Sequence, residues 1–133
     1  MITNFDFNKC NPDDLSVSSL AFVGDAVFDL MIRSHYVSLS NSQAKDLHQK
    51  TVKCVCCEAQ ANFMKIILPH LTEKELSIYK RGRNYHTAHI PKKSTVADYH
   101  QATALEALLG YIYLKEDHER LFEIFSLIKE QLL

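Results

Sequence analysis

The sequence predicts an all-α fold, and three observations carry that reading. The 133 residues include only 3 glycines and 3 prolines, so few positions break a helix. Apolar residues recur at steps of three and four along most of the chain. No stretch alternates apolar and polar residues as a half-buried strand does.

Each element follows from its own stretch of sequence. Residues 1–14 are polar and close with Asn11-Pro12-Asp13-Asp14, which predicts an irregular lead-in. From Ser16 a helix is expected, with Leu20, Val23, Val27, Leu30 and Met31 at helical spacing. Phe22, Ala26 and Phe28 widen its apolar surface almost all round, so it is expected to be central or to face another subunit. The run from Ser38 to Ser42 reads as a turn. A second helical region is expected over about 43–68, bent near Lys50, with Leu47, Cys54, Val55, Ala59, Phe63, Ile66 and Ile67 inward; Pro69 ends it. Thr72 and Glu75 form a capping box that opens a short helix to about Arg81, with Gly82 as its breaker. Residues 82–93 read as a loop. A fourth helix is expected over about 95–114, with Val96, Ala102, Leu105, Leu108, Leu109 and Ile112 inward. A fifth is expected over about 117–133, on Leu121, Ile124, Phe125, Ile128 and Leu132.

The length suits one domain spanning 1–133. Hydrophobic residues at 47% and charged residues at 23% are ordinary for a globular protein. The net charge of −1 excludes binding to polyanions through bulk charge, so any basic patch is local. Cys54, Cys56 and Cys57 are too close together for a disulfide framework, and with Cys10 they fit a reducing cytoplasm. Their spacing also lacks a second ligand pair for zinc. The first residues have no basic-then-apolar pattern of a secretory signal, and no apolar run reaches the roughly 18 residues of a membrane span.

The glycines direct attention to chemistry. Gly24 and Gly110 lie inside helical patterns, where each costs about 1 kcal/mol relative to alanine, so something must approach closely there. Gly24 adjoins Asp25, and Gly110 lies one turn after Glu106. A carboxylate on an apolar surface needs a partner, either a basic side chain or a metal ion. By spacing alone, a buried ion pair or interface hydrogen bonds explain Asp25 and Glu106 better than a metal does.

Two motifs carry a resemblance. Ser19-Leu20-Ala21-Phe22-Val23-Gly24-Asp25-Ala26-Val27 resembles the signature helix of the ribonuclease III family, whose Asp binds metal. Glu106-Ala107-Leu108-Leu109-Gly110-Tyr111-Ile112-Tyr113-Leu114 resembles its second motif, whose leading Glu also binds metal. Leu47-His48, Arg81-Gly82-Arg83-Asn84, Pro91-Lys92 and the run from Tyr99 to Glu106 are similar to the Mini-III branch, which is reduced to the catalytic domain. The resemblance implies the ribonuclease III helical fold, a homodimer with the signature helices along its interface, and no separate double-stranded-RNA-binding domain. It implies hydrolysis of double-stranded RNA with Mg²⁺, or Mn²⁺ in its place, leaving 5′-phosphate and 3′-hydroxyl ends. It also implies a role in ribosomal RNA maturation, particularly of the large-subunit (23S) RNA, with a ribosomal protein as a possible helper. Asp25 and Glu106 are then the catalytic metal ligands. Ala21 and Thr103 stand where the wider family has two further acids, as in the Mini-III branch.

Around that pair, Thr103 lies one turn before Glu106, and its hydroxyl could hold a metal-bound water; Asp29, one turn after Asp25, could orient a ligand. A partly exposed polar position explains either one slightly better. Lys80, Arg81, Arg83, Asn84, Lys92 and Lys93 make the only strongly basic stretch, with His86, His89 and Tyr85 among them. They are candidates for contacts to RNA phosphates and 2′-hydroxyls, against the alternative of a solvated charged loop. Two rival functions remain: an RNA- or ribosome-binding module of the same fold without catalysis, and a helical interaction domain.

Overall fold

The computed structural model describes residues 10–87 and 90–132, and these contain six α-helices. They are α1 (Val17–Leu39), α2 (Ala44–Val55), α3 (Cys57–Ile67), α4 (Glu73–Arg83), α5 (Val96–Leu114) and α6 (His118–Ile128). Short 3₁₀ turns cover Pro12–Asp14, Leu68–His70 and Lys129–Gln131. No strand occurs among the described residues, as the sequence predicts.

Most helices begin where a side chain can take an orphan N–H. Ser16 Oγ accepts from the Ser19 N–H at 3.2 Å to start α1. Thr95 Oγ1 accepts from the Asp98 N–H at 3.0 Å to start α5. The capping box of α4 is complete: the Glu75 N–H donates to Thr72 Oγ1 at 3.2 Å and the Thr72 N–H donates to Glu75 Oε1 at 2.9 Å.

Helix α5 is the centre. Its residues from Ala102 to Ile112 are buried except for Glu106, which is half-buried, and α1, α3 and α4 pack against it. The apolar first helix, α1, is therefore the principal neighbour of the central element. It buries Leu20, Val27, Phe28, Met31, Ile32 and Tyr36 and leaves Phe22 at 73% and Leu30 at 41% exposure.

Three boundaries differ from the sequence reading; the fifth helix, expected to reach 133, gives way to a 3₁₀ turn after Ile128. The expected bend near Lys50 is instead a break at Cys56, whose backbone is extended (φ −69°, ψ 156°) between α2 and α3. Gln60 Nε2 donates to the Val55 carbonyl at 2.9 Å, satisfying backbone that the break would otherwise orphan. Gly82 does not end α4, which runs on to Arg83. A Cβ there would lie 2.6 Å from Ala104 Cα, so Gly82 is a packing position where α4 crosses α5.

Side-chain ties hold the periphery. Tyr111 Oη donates to Asp13 at 2.7 Å, and Lys74 and Lys115 pair with the same carboxylate at 2.9 and 3.2 Å. These bonds, with Lys74 first, hold the Asp13 carboxyl well below the usual carboxylate range. Arg120 on α6 donates to Glu75 at 2.8 Å, to Glu123 at 2.9 Å and to the His70 carbonyl at 2.8 Å. Burial pushes the Glu75 carboxyl up, but the bonds from Arg120 and Thr72 outweigh it and leave it below its ordinary value. No helix among the described residues is long and apolar enough to cross a membrane.

Candidate active site

The site forms where α1 crosses α5. A Cβ on Gly24 would land on the backbone carbonyl of Glu106, and one on Gly110 would land on the carbonyl of Leu20. Both glycines are therefore points of backbone contact between the two helices. Asp25 and Glu106 are the neighbours of those contacts, and the crossing brings their carboxyls within hydrogen-bonding reach of each other.

They line a pocket of about 380 Å³ with Asp29, Arg33, Gln60, Tyr99 and Thr103. Burial, the Asp25 charge and the hydrogen bond to Asp25 push the Glu106 carboxyl up from 4.5 to about 8, while a hydrogen bond from Gln60 pulls it down. A carboxyl so placed keeps its proton near neutrality until a cation replaces it.

The other candidates take distinct places. Asp29 lies in the same pocket and accepts from Arg33 Nε at 3.0 Å. Thr103 also lines the pocket, but its hydroxyl proton goes to the Tyr99 carbonyl at 3.0 Å, leaving its oxygen lone pairs. Lys80, Arg81 and Arg83 are on the last turn of α4 rather than in a loop, and Asn84 caps it. Arg81 Nη2 donates to the Leu15 carbonyl at 3.0 Å, which gives it a structural tie. Arg83 lies over the Tyr79 ring, 5.6 Å from its centroid, and donates to Asn84 Oδ1 at 3.2 Å. Lys92 and Lys93 are exposed in the turn before α5. His89 falls outside the described residues. Of the cysteines, Cys54 is buried and lies 3.3 Å from Tyr36 Oη, Cys10 and Cys56 are exposed, and Cys57 lines the acidic pocket.

Sequence reasoning passed over Gln60, Arg33 and Tyr99. Gln60 left a signal. It shares the buried face of α3 with Phe63, Met64 and Ile67, so it is a polar residue in an apolar stripe.

Comparison with known proteins now bears on this crossing. The family model for the ribonuclease III domain matches residues 18–117. The chain belongs to the ribonuclease III family. That span contains both motifs and every side chain of the pocket. Among family members, the Mini-ribonuclease 3 of a Thermoanaerobacter species is 46% identical over 113 residues, covering 85% of this chain and 80% of that protein. The Mini-ribonuclease 3 of Clostridium tetani is 36% identical over 124 residues, covering 92% and 82%. A crystal structure of a Fusobacterium nucleatum protein superposes with a TM-score of 0.81 at 33% identity, covering 90% of this chain and 96% of that one.

The donor set fits the divalent cation that the ribonuclease III family implies. Two carboxylates and a buried amide oxygen without a partner, that of Gln60, are hard donors. No group of three or more His, Cys, Asp or Glu converges among the described residues, so most of such a cation's shell would be water. That is the preference of Mg²⁺ rather than of zinc.

Proposed function

We propose that the protein is a divalent-metal-dependent endoribonuclease that cuts double-stranded RNA and leaves 5′-phosphate and 3′-hydroxyl ends. Membership of the ribonuclease III family makes it a ribonuclease. The observation that carries the finer reading is the meeting of Asp25 and Glu106 across the glycine contacts of α1 and α5. A plain structural role would favour a basic partner for two acids; here each faces the other in an open pocket.

In this reading Asp25 and Glu106 hold Mg²⁺, with Mn²⁺ as a substitute. The bound cation supplies charge for the phosphate and lowers the pKa of water. Glu106 would hold such a cation as a carboxylate, giving up the proton that its surroundings favour. Thr103 and Asp29 orient water at the rim, Asp29 being itself steered by Arg33. Lys80, Arg83, Asn84, Lys92 and Lys93 contact the duplex backbone, and Arg81 contributes charge from its tied position.

Residues 1–133 act as one catalytic domain, working as a cytoplasmic homodimer through the exposed α1 face bearing Phe22 and Leu30. The substrate is a structured precursor of large-subunit ribosomal RNA, as the Mini-ribonuclease 3 resemblance suggests, with a ribosomal protein as helper. A second reading, an RNA-holding module, draws on Ala21 and Thr103, which supply no carboxylate to the pocket.

One experiment separates them. End-labelled long double-stranded RNA is incubated with Mg²⁺ and either the native chain or Asp25→Asn, and the products are run on a denaturing gel. Discrete cuts that vanish in Asp25→Asn while RNA binding persists support the nuclease. Binding without cutting in both Mg²⁺ and Mn²⁺ supports the holding module.

A further inference from the structure

The acidic pocket includes a buried amide, that of Gln60, which neither motif helix supplies. The residue is 4% exposed on α3, away from both motif helices, yet it lines the same pocket as Asp25 and Glu106. Its orientation is set from one side. The Val55 carbonyl at the break between α2 and α3 can only accept, so Nε2 must face it. Nε2 also hydrogen-bonds the Glu106 carboxyl. With the nitrogen so used, Oε1 is buried without a hydrogen-bond partner.

A buried acceptor left empty is costly, and turning the amide over would set oxygen against the Val55 carbonyl. The natural complement is a group that brings positive charge or a donor into the pocket. A hydrated hard cation does both, since amide oxygens are good ligands for such ions and good acceptors for their bound waters.

We propose that Gln60 is a positioning residue that completes the divalent-cation site, with Oε1 taking the cation or one of its bound waters while Nε2 anchors Glu106 to the break at Cys56. The proposal rests on the reading of Asp25 and Glu106 as metal ligands. It assigns to α3 part of the work for which Ala21 and Thr103 carry no carboxylate. It also gives the break at Cys56 a purpose, because that break exposes the Val55 carbonyl that aligns the amide.

The test measures cation binding rather than cleavage. Mn²⁺ is titrated calorimetrically into the full chain, native and as Gln60→Leu, Arg120→Ala and Asp25→Asn, and each is melted in EDTA. The expected result is that Gln60→Leu weakens Mn²⁺ binding by about 10-fold or more, in the range for groups that orient metal ligands. The melting temperature of Gln60→Leu in EDTA falls, because the Val55 carbonyl loses its donor, while Arg120→Ala, destabilised away from the acidic pocket, keeps native Mn²⁺ affinity. Native-like Mn²⁺ affinity in Gln60→Leu, with binding lost in Asp25→Asn, overturns the role of Gln60 and leaves the metal reading standing. Mn²⁺ binding weakened as much in Arg120→Ala as in Gln60→Leu also overturns it, because the loss is then one of general stability. No Mn²⁺ uptake by the native chain overturns the metal reading itself, and this proposal with it.

Discussion

Glu106 has surroundings that oppose its ionisation. Burial and the facing Asp25 raise its pKa from 4.5 to about 8. Because the folded value lies above the unfolded one, the folded chain binds the extra proton between those limits. Its contribution to stability is thus fully present below pH 4.5 and is lost as pH rises through about 8. Melting in EDTA from pH 4.5 to 8.5 should therefore show a falling melting temperature, and Glu106→Gln should flatten the trend. Saturating Mg²⁺ should flatten it as well, and its binding near pH 7 should release protons that calorimetry in buffers of different ionisation enthalpy can count. A native melting temperature that rises across this range in EDTA would contradict the arrangement of the two acids.

At the scale of the element, the α1–α5 crossing depends on two missing side chains. Gly24→Ala puts a methyl against the Glu106 backbone, and Gly110→Ala puts one against the Leu20 backbone. Neither neighbour is a flexible side chain, so the helices must separate. Each substitution should cost about 3 kcal/mol by urea unfolding, at the upper end of overpacking effects. Any folded Gly24→Ala protein should also bind Mn²⁺ poorly, since Asp25 moves with the helix. A different element-level tie joins α6 to α4. Arg120→Ala strands the buried Glu75 carboxylate and should cost about 3 kcal/mol. It should leave Mn²⁺ affinity unchanged, because this cluster lies apart from the acidic pocket.

For the whole molecule, the predictions concern surfaces. Phe22 is 73% exposed, and Ala26 and Leu30 follow on the same face of α1. A homodimer through this face predicts that Phe22→Glu sediments as a monomer while keeping native helix content. A native chain that sediments as a monomer at tens of micromolar would remove the dimer from the proposal. The exposed Lys92 and Lys93 belong to the electrostatic surface. Replacing both with alanine should weaken RNA binding irrespective of sequence and reduce the salt slope by roughly 2, about one for each phosphate that a lysine no longer neutralises. Cleavage at saturating RNA should change little.

The helical class and both motif helices were legible in the sequence, because local signals specify them, while Asp25 and Glu106 stood out through the family resemblance. Spacing of Leu20, Val27 and Met31 marks a helix, Thr72 and Glu75 mark its start elsewhere, and a glycine beside an acid marks a close approach. Gly82 shows where such signals mislead. A glycine suits a helix end and a tight crossing equally well, and only the position of Ala104 on α5 decides between them. The break at Cys56 escapes local reading because the amide that stabilises it comes from Gln60, one turn into the next helix. Arg81 reads as a free RNA-binding side chain because its partner, the Leu15 carbonyl, is distant in sequence and carries no side-chain signature. The sequence by itself thus determined the helices and the family to which they belong. Only the tertiary structure decided that Asp25 meets Glu106 rather than a basic side chain, and that Gln60 joins them, because which side chains share a pocket depends on how the helices cross.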